Sequence, residues 1–192
     1  PLTERKTEVK QNRLALSSKQ CNKLLEAFDD QETEVPHREQ LRALALLSLY
    51  AGMRLKDAAL LQWNAVDMDA GKIEYTPAKT ASKGKTALVP ILPPLRSALL
   101  SLPVEGRKGD VLPELASTYR RNPDAIQKPL VALIQAVVGA NERDKTNGAV
   151  QRKVNRSQYG AHSLRHTFAT MAAMAGAKPA YLARMLGDNI TT

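Results

Sequence analysis

The sequence predicts an α+β fold that is mainly α-helical and carries a small antiparallel β-hairpin or sheet. The composition is 43% hydrophobic and only 4% aromatic, so the core must be built from aliphatic residues and Met, a composition that favours helices. The stretch HREQLRALALLSLYAG is apolar nearly all round, as in a central helix. Two β-leaning runs, GKIEYTPAKT and KTALVPIL, follow it with ASKGK between them and predict the hairpin.

The chain begins with a polar segment and then becomes helical. At 192 residues it has the length of one domain, or of one domain and an arm. Residues 1–16 show no apolar period, and we expect a linker or arm there, followed by a domain over 17–192. Ser17 and Gln20 have the spacing of a capping box, so a helix begins near Ser18. Gly52 ends the central helix, and RLKDAALLQWNAVD begins another short one.

Helices return after the hairpin, whose turn we expect at Gly84. Pro94 suits the first position of a helix in PLRSALLSL. Pro129 should start or kink the helix of NPDAIQKPLVALIQAVVGA. The polar, basic run from 141 to 159 predicts a loop. AHSLRHTFAT then begins a helix, and KPAYLARMLGD predicts a short last helix that ends at Gly187.

The charge balance points to a polyanionic partner. There are 28 Lys and Arg against 19 Asp and Glu, a net charge of +9, which favours nucleic acid first and a membrane surface second. The single cysteine, Cys21, excludes an internal disulfide and indicates a reducing compartment. The longest apolar run, LRALALLSLYAG, is too short and too interrupted to span a bilayer. The polar start does not resemble a signal peptide, and we expect a protein cut from a longer chain that acts in the cytoplasm and associates with the nucleoid.

The helix that begins with AHSLRHTFAT carries an unusual polar side. At 100° per residue, His162, Arg165 and His166 lie on one face. The opposite face, which should be packed, contains Leu164, Phe168, Met171 and Ala175. Charged helix faces are most often simply solvated. Two of only three histidines within one turn of an arginine also suit an anionic substrate, which an imidazole and a guanidinium can bind together.

A second basic position lies at the head of the short helix after Gly52. Arg54 and Asp57 are three residues apart and close enough to interact. A helix start already favours an anion through its backbone N–H groups. Two arginines, Arg54 and Arg165, and His162 could together bind the non-bridging oxygens of a phosphate, and a lysine of the hairpin could protonate a leaving oxygen.

The order of these motifs resembles the catalytic domain of the tyrosine recombinases, the phage integrase family. YAGMRLKDAALLQWNAVD resembles the first box, with the catalytic Arg54 and the supporting Asp57. TPAKTASKGKTALVPI resembles the hairpin of the catalytic lysine, for which Lys79 is the best match and Lys83 and Lys85 are rivals. The resemblance runs from about Ser17 to Thr192.

Two further motifs complete the resemblance. HSLRHTFAT is similar to the box that supplies the second catalytic arginine, Arg165, and His162, with His166 in a supporting place. MLGDNITT resembles the segment before the nucleophile, and it places Asp188 where the family usually has a catalytic histidine or sometimes tryptophan. An acid beside a scissile phosphate would repel it.

The resemblance implies that the nucleophilic tyrosine comes after Thr192. The tyrosines present lie in the wrong context for that role; they are Tyr50, Tyr75, Tyr119, Tyr159 and Tyr181. We therefore expect 17–192 to be a catalytic domain truncated before its nucleophile, preceded in the whole protein by a DNA-clamping domain and inactive for strand cleavage by itself.

The implied activity is site-specific DNA recombination. In the family, tyrosine attacks phosphorus, a 3′-phosphotyrosyl link forms, and the strand is rejoined to a partner without a metal or other cofactor. The partner is double-stranded DNA, with the whole protein a tetramer on paired sites, this chain a monomer, and no membrane involved. Residues expected to bind the DNA backbone are Lys83, Lys85, Arg152, Lys153 and Arg156.

Other functions use similar residues. A helical DNA-binding module would hold backbone phosphates with them and do no chemistry. A type IB topoisomerase would share the covalent chemistry, and a metal-independent nuclease or phosphatase could use a His-Arg pair. A covalent 3′ adduct on a nicked substrate separates the recombinase and topoisomerase from the rest.

Overall fold

The computed structural model describes residues 13–102, 107–138 and 158–187. In these ranges the chain forms eight α-helices, two 3₁₀ helices and one three-stranded sheet. The α-helices are α1 Ser18–Asp29, α2 Arg38–Tyr50, α3 Leu55–Ala59, α4 Pro93–Ser101, α5 Pro113–Arg121, α6 Asp124–Val138, α7 Ala161–Met174 and α8 Pro179–Leu186. The strands are β1 Val66–Asp67, β2 Lys72–Tyr75 and β3 Ala87–Pro90, and the 3₁₀ helices are Trp63–Ala65 and Ala78–Lys83. The predicted fold class, mainly helical with a small antiparallel sheet, is confirmed.

Helix α2 lies at the centre of the molecule, as its all-round apolar sequence predicts. It contacts α1 and every helix from α3 to α7. Its residues from Ala43 to Leu49 are all buried, including Ser48. Because the stretch from Ala43 to Leu49 is surrounded by other helices, it has no solvated face, and the charged residues of α2 are confined to its first five positions.

The sheet has the antiparallel order β1-β2-β3. Ile73 of β2 is opposite Val89 of β3, and both are buried, while alternate residues of β2 face solvent. Gly84 has a positive φ of 60° at the end of the second 3₁₀ helix, in the predicted turn. The sequence did not predict β1, because two residues are too short to show a period of two.

Helix starts agree with the sequence in one place and differ in two. The Ser17 hydroxyl accepts from the Gln20 N–H and the Gln20 side chain accepts from the Ser17 N–H, so the predicted capping box is present. Pro94 occupies the second position of α4, since Pro93 is the first. Of the two alternatives for Pro129, the start of a helix is wrong, because α6 begins at Asp124 and Pro129 lies inside it.

The end of the predicted arm is attached to the domain. The Leu14 N–H donates to the Gln158 carbonyl at 3.1 Å, and the Leu16 N–H donates to Thr167 Oγ1 of α7 at 2.8 Å. Leu16 is buried in the core. Among the described residues, no helix is long and apolar enough to cross a membrane.

Candidate active site

The turn between α2 and α3 brings three motifs of the sequence into contact. Gly52 has φ +63°, a conformation that L side chains rarely adopt. A Cβ atom on it would lie 2.5 Å from Phe168 Cδ1 of α7 and 2.8 Å from Leu186 Cδ2 of α8. The glycine therefore allows the first box to pack directly against the other two helices.

Arg165 is buried, with 5% of its surface exposed. Its guanidinium donates from Nη1 to the Gly52 carbonyl and from Nη2 to the Leu186 carbonyl, the latter at 3.0 Å. These bonds fix the plane of the guanidinium between the first box and the end of α8. The interpretation that the charged face of this helix is simply solvated is thus wrong for Arg165, although His162 and His166 are exposed.

The opposite face of α7 also differs from the prediction. Leu164 and Phe168 are buried as expected, but Met171 is 44% exposed and Ala175 is exposed too. The buried residues of α7 all lie in its first eight positions. Burial therefore follows the half of the helix that packs against neighbours, which a period of 3.6 residues does not reveal.

Asp57 connects the first arginine to the lysine-bearing segment. Its side chain is 4% exposed, and Oδ2 lies 3.9 Å from Nη1 of Arg54, whose side chain is 16% exposed. The other oxygen, Oδ1, accepts from the Ala78 N–H at 2.9 Å. The sequence predicted the first contact from its spacing, but it had no signal for the second, which joins residues 21 positions apart.

Lys79 follows Ala78 in the 3₁₀ helix and is exposed. The next residue, Thr80, is buried and its hydroxyl donates to the Gly187 carbonyl at 3.3 Å. Gly187 has φ +61°, and a Cβ atom there would lie 2.5 Å from Pro77 Cγ. The lysine-bearing turn is therefore held by α3 on one side and by the end of α8 on the other.

His162 lies in a positive environment at the start of α7. Partial burial lowers its pKa, and the charges of His166, Arg165, Arg54 and Lys79 lower it further, in that order. Its ring contacts that of His166 edge to face, with centroids 5.1 Å apart. A lowered pKa keeps the imidazole neutral near pH 7, so one ring nitrogen can accept a proton.

A cleft of about 520 Å³ lies beside these residues. Arg54 and His162 line it, together with Arg13, Lys56 and Tyr119, which the sequence reasoning missed. A place for Lys56 in the site could have been predicted from its position between Arg54 and Asp57. Arg13 lies in the predicted arm, where no sequence pattern indicates a site residue.

The remaining predicted site residues fall in two groups. Lys83 is exposed and Lys85 half-buried on the segment that carries Lys79, but of these three lysines only Lys79 acts on the pKa of His162. The second group of predicted site residues lies outside the described ranges; its members are Arg152, Lys153, Arg156 and Asp188. Within the described ranges, no group of three or more His, Cys, Asp or Glu is placed to hold a metal ion.

Comparison with solved structures places the fold among recombinase domains. The XerA recombinase matches with a TM-score of 0.59 and 21% identity over 92% of this chain and 56% of that one. The catalytic domain of bacteriophage HP1 integrase matches with a TM-score of 0.57 and 20% identity over 94% of this chain and 83% of that one. The Tn1549 transposon integrase, in complex with transposon right end DNA, gives a TM-score of 0.64 at 16% identity over 98% of this chain and 62% of that one.

The chain thus spans less than two thirds of the solved XerA and Tn1549 integrase chains. No curated protein matches it in sequence. The model of the phage integrase family matches residues 15–190, almost the whole length. With the motif order and the fold in agreement, the chain belongs to the phage integrase family of tyrosine recombinases.

Proposed function

We propose that this chain is the catalytic domain, without its nucleophile, of a site-specific recombinase that cuts and rejoins DNA through a 3′-phosphotyrosyl intermediate. The observation that carries the proposal is that one cleft is lined by Arg54 and His162, although they are 108 positions apart (162 minus 54). Arg165 joins them because it donates to the Gly52 carbonyl, two residues before Arg54. Lys79 lies nearby because Asp57, the partner of Arg54, accepts from the N–H of the residue before it. Cations that come from three separate motifs and lie at one site are suited to bind a phosphate. The net charge of +9 favours a polyanionic partner as well.

The two arginines stabilise the pentavalent phosphorane. That species carries more negative charge than the ground-state phosphate, so fixed guanidinium groups lower its energy most. Arg165 is fixed by the carbonyls of Gly52 and Leu186, and Arg54 lies 3.9 Å from the buried carboxylate of Asp57. Preorganisation of this kind avoids reorientation during the reaction.

Lys79 acts as the general acid that protonates the 5′ leaving oxygen, and His162 orients the phosphate or accepts the proton of the nucleophile. The neutral state that the lowered pKa of His162 favours suits proton acceptance. The exposure of Lys79 leaves its ammonium accessible to a DNA strand that enters the site.

The substrate is double-stranded DNA. The solved relatives support this, since Tn1549 integrase is in complex with transposon right end DNA and XerH is bound to its difH substrate. We further propose that the whole protein works as a tetramer on paired sites, and that its nucleophilic tyrosine lies beyond Thr192.

A nicked suicide duplex tests the proposal. This chain should form no covalent product, whereas the protein extended through the next tyrosine should form an adduct that resists boiling in detergent. Changing that tyrosine to Phe should abolish the adduct, because the cations stabilise a phosphorane but only a nucleophile forms the bond. Without an adduct from the extended protein, binding alone would indicate a DNA-binding module, and cleavage would indicate a metal-independent nuclease. Relaxation of any supercoiled plasmid without recombinant products would indicate a type IB topoisomerase.

We also propose that position 188 faces the scissile phosphate in the whole protein. An aspartate there repels the phosphate, so Asp188→His in the extended protein should leave the rate of adduct formation equal or raise it. A severe loss of rate would show that the carboxylate has a role of its own and that this mapping is wrong.

A further inference from the structure

The described segment before α1, residues 13–17, contributes Arg13 to the wall of the cleft. The Leu14 N–H donates to the Gln158 carbonyl and the Leu16 N–H donates to the Thr167 hydroxyl, and these two bonds hold the segment against α7 and the residues just before it. Arg13, the residue just before them, is exposed and lines the cleft together with Arg54 and His162. The hydrogen bonds of Leu14 and Leu16 thus place Arg13 in the cleft.

The guanidinium group of Arg13 lies beside Gly160, just before the start of α7. Its Cζ and Nη1 atoms are 3.6 Å from the place where a Cβ of Gly160 would lie. Gly160 is the N-cap of α7 and precedes His162 by two positions. The guanidinium is therefore next to the proposed phosphate site.

The charges along the cleft are all of one sign. Arg13, Arg54 and Lys56 line it with His162, and the described lining contains no Asp or Glu. The nearby Asp57 is buried and faces Arg54 and Ala78. Like charges gathered along one groove repel each other and are stabilised by a polyanion that runs through it.

We propose that Arg13 binds a DNA backbone phosphate adjacent to the one held by Arg54, which makes the segment before α1 part of the DNA interface. This inference rests on the proposed function, since it requires the scissile strand to enter the cleft. A guanidinium is suited to this contact because it binds phosphate oxygens through two N–H groups.

Salt titration of binding to a short DNA duplex tests the inference. Removal of one cation that binds a phosphate reduces the slope of log K against log salt by about 0.9. Between 50 and 200 mM salt, wild type should therefore lose about 3.5-fold more affinity than Arg13→Gln or Arg13→Ala. Arg13→Lys should keep the wild-type slope, because it keeps the charge.

Lys23→Ala is the matched control, since it removes one exposed positive charge from α1 and Lys23 does not line the cleft. A slope for Arg13→Gln equal to that of Lys23→Ala would overturn the inference. A merely structural role of Arg13 would lower the melting temperature but leave the slope unchanged. Wild-type binding that does not depend on salt would instead overturn the proposed function.

Discussion

Single residues of this chain decide whether the first box, helix α7 and the end of α8 can pack together. Gly52 combines a positive φ with contacts to Phe168 and Leu186 that leave no room for a Cβ, and its carbonyl also accepts from Arg165. One residue therefore sets the packing of two helices and the orientation of a proposed catalytic arginine.

Gly52→Ala should destabilise the protein more than the same change at Gly71. Both glycines have φ +63°, but nothing lies within 4 Å of a Cβ at Gly71. Gly71→Ala should lower the free energy of unfolding by about 1 kcal/mol, from backbone strain alone. Gly52→Ala should cost a further 1–3 kcal/mol or so, because the methyl group overpacks the core. Equal midpoints and slopes in urea for the two variants would contradict this.

The pKa of His162 should report which lysine lies in the site. Lys79→Ala removes a positive charge that lowers this pKa, so the pKa should rise. Lys83→Ala, on the same 3₁₀ helix, should leave it unchanged. NMR titration of the ring protons measures both, and a rise with Lys83→Ala in place of Lys79→Ala would exchange the roles of the two lysines.

The same lowered pKa has a consequence for stability. Because folded His162 binds a proton less readily than the unfolded chain, its contribution is present above the unfolded pKa and is lost as the pH falls below it. Removal of the imidazole by His162→Gln should therefore flatten the dependence of unfolding free energy on pH just below neutrality.

At the scale of elements, the lysine-bearing turn lies between α3 and the end of α8. Gly187→Ala should displace this turn, because the new methyl group would meet Pro77. In the extended protein we expect DNA cleavage to slow on the order of tenfold to a hundredfold. Gly176→Ala is the control, since Gly176 also has a positive φ and follows a helix but has open space around its Cβ position.

A DNA substrate in which sulfur replaces the 5′ leaving oxygen shows whether the slow cleavage comes from the general acid or from the arginines. A thiolate leaves without protonation, so it should restore the rate of Gly187→Ala and of Lys79→Ala alike. Slow cleavage of the sulfur substrate by Gly187→Ala would mean that the change disturbs the arginines and not the general acid.

The sequence predicted those elements whose signals are local. Ser17 and Gln20 specify the start of α1, and the apolar run of α2 specifies a buried helix, because capping and periodicity act within a few residues. The burial of Arg165 was missed, since its two carbonyl partners lie 113 and 21 positions away. The contact of Asp57 with Ala78 and the place of Arg13 in the cleft were missed for the same reason.

At the scale of the whole molecule, the described ranges expose few large apolar side chains. The large apolar side chains exposed in the described ranges belong to several separate elements and are Leu14, Leu92, Leu100, Met171, Met174 and Tyr181. A stable interface buries about 800 Å² on each partner with a contiguous apolar centre, and six exposed side chains divided among several elements are too few to supply it. The net charge of +9 adds mutual repulsion between copies.

This chain should therefore be a monomer in solution. Sedimentation should give the mass of one chain, 21.0 kDa, at every concentration tested. The most exposed of the apolar residues, Met174 at 84%, lies in the last turn of α7 and supplies the control variant, Met174→Lys. A mass that rises with concentration in wild type and stays constant in Met174→Lys would show instead that the end of α7 joins two copies. Salt should not change the monomer mass, whereas the same salt should release DNA, because only the DNA contact depends on displaced counterions.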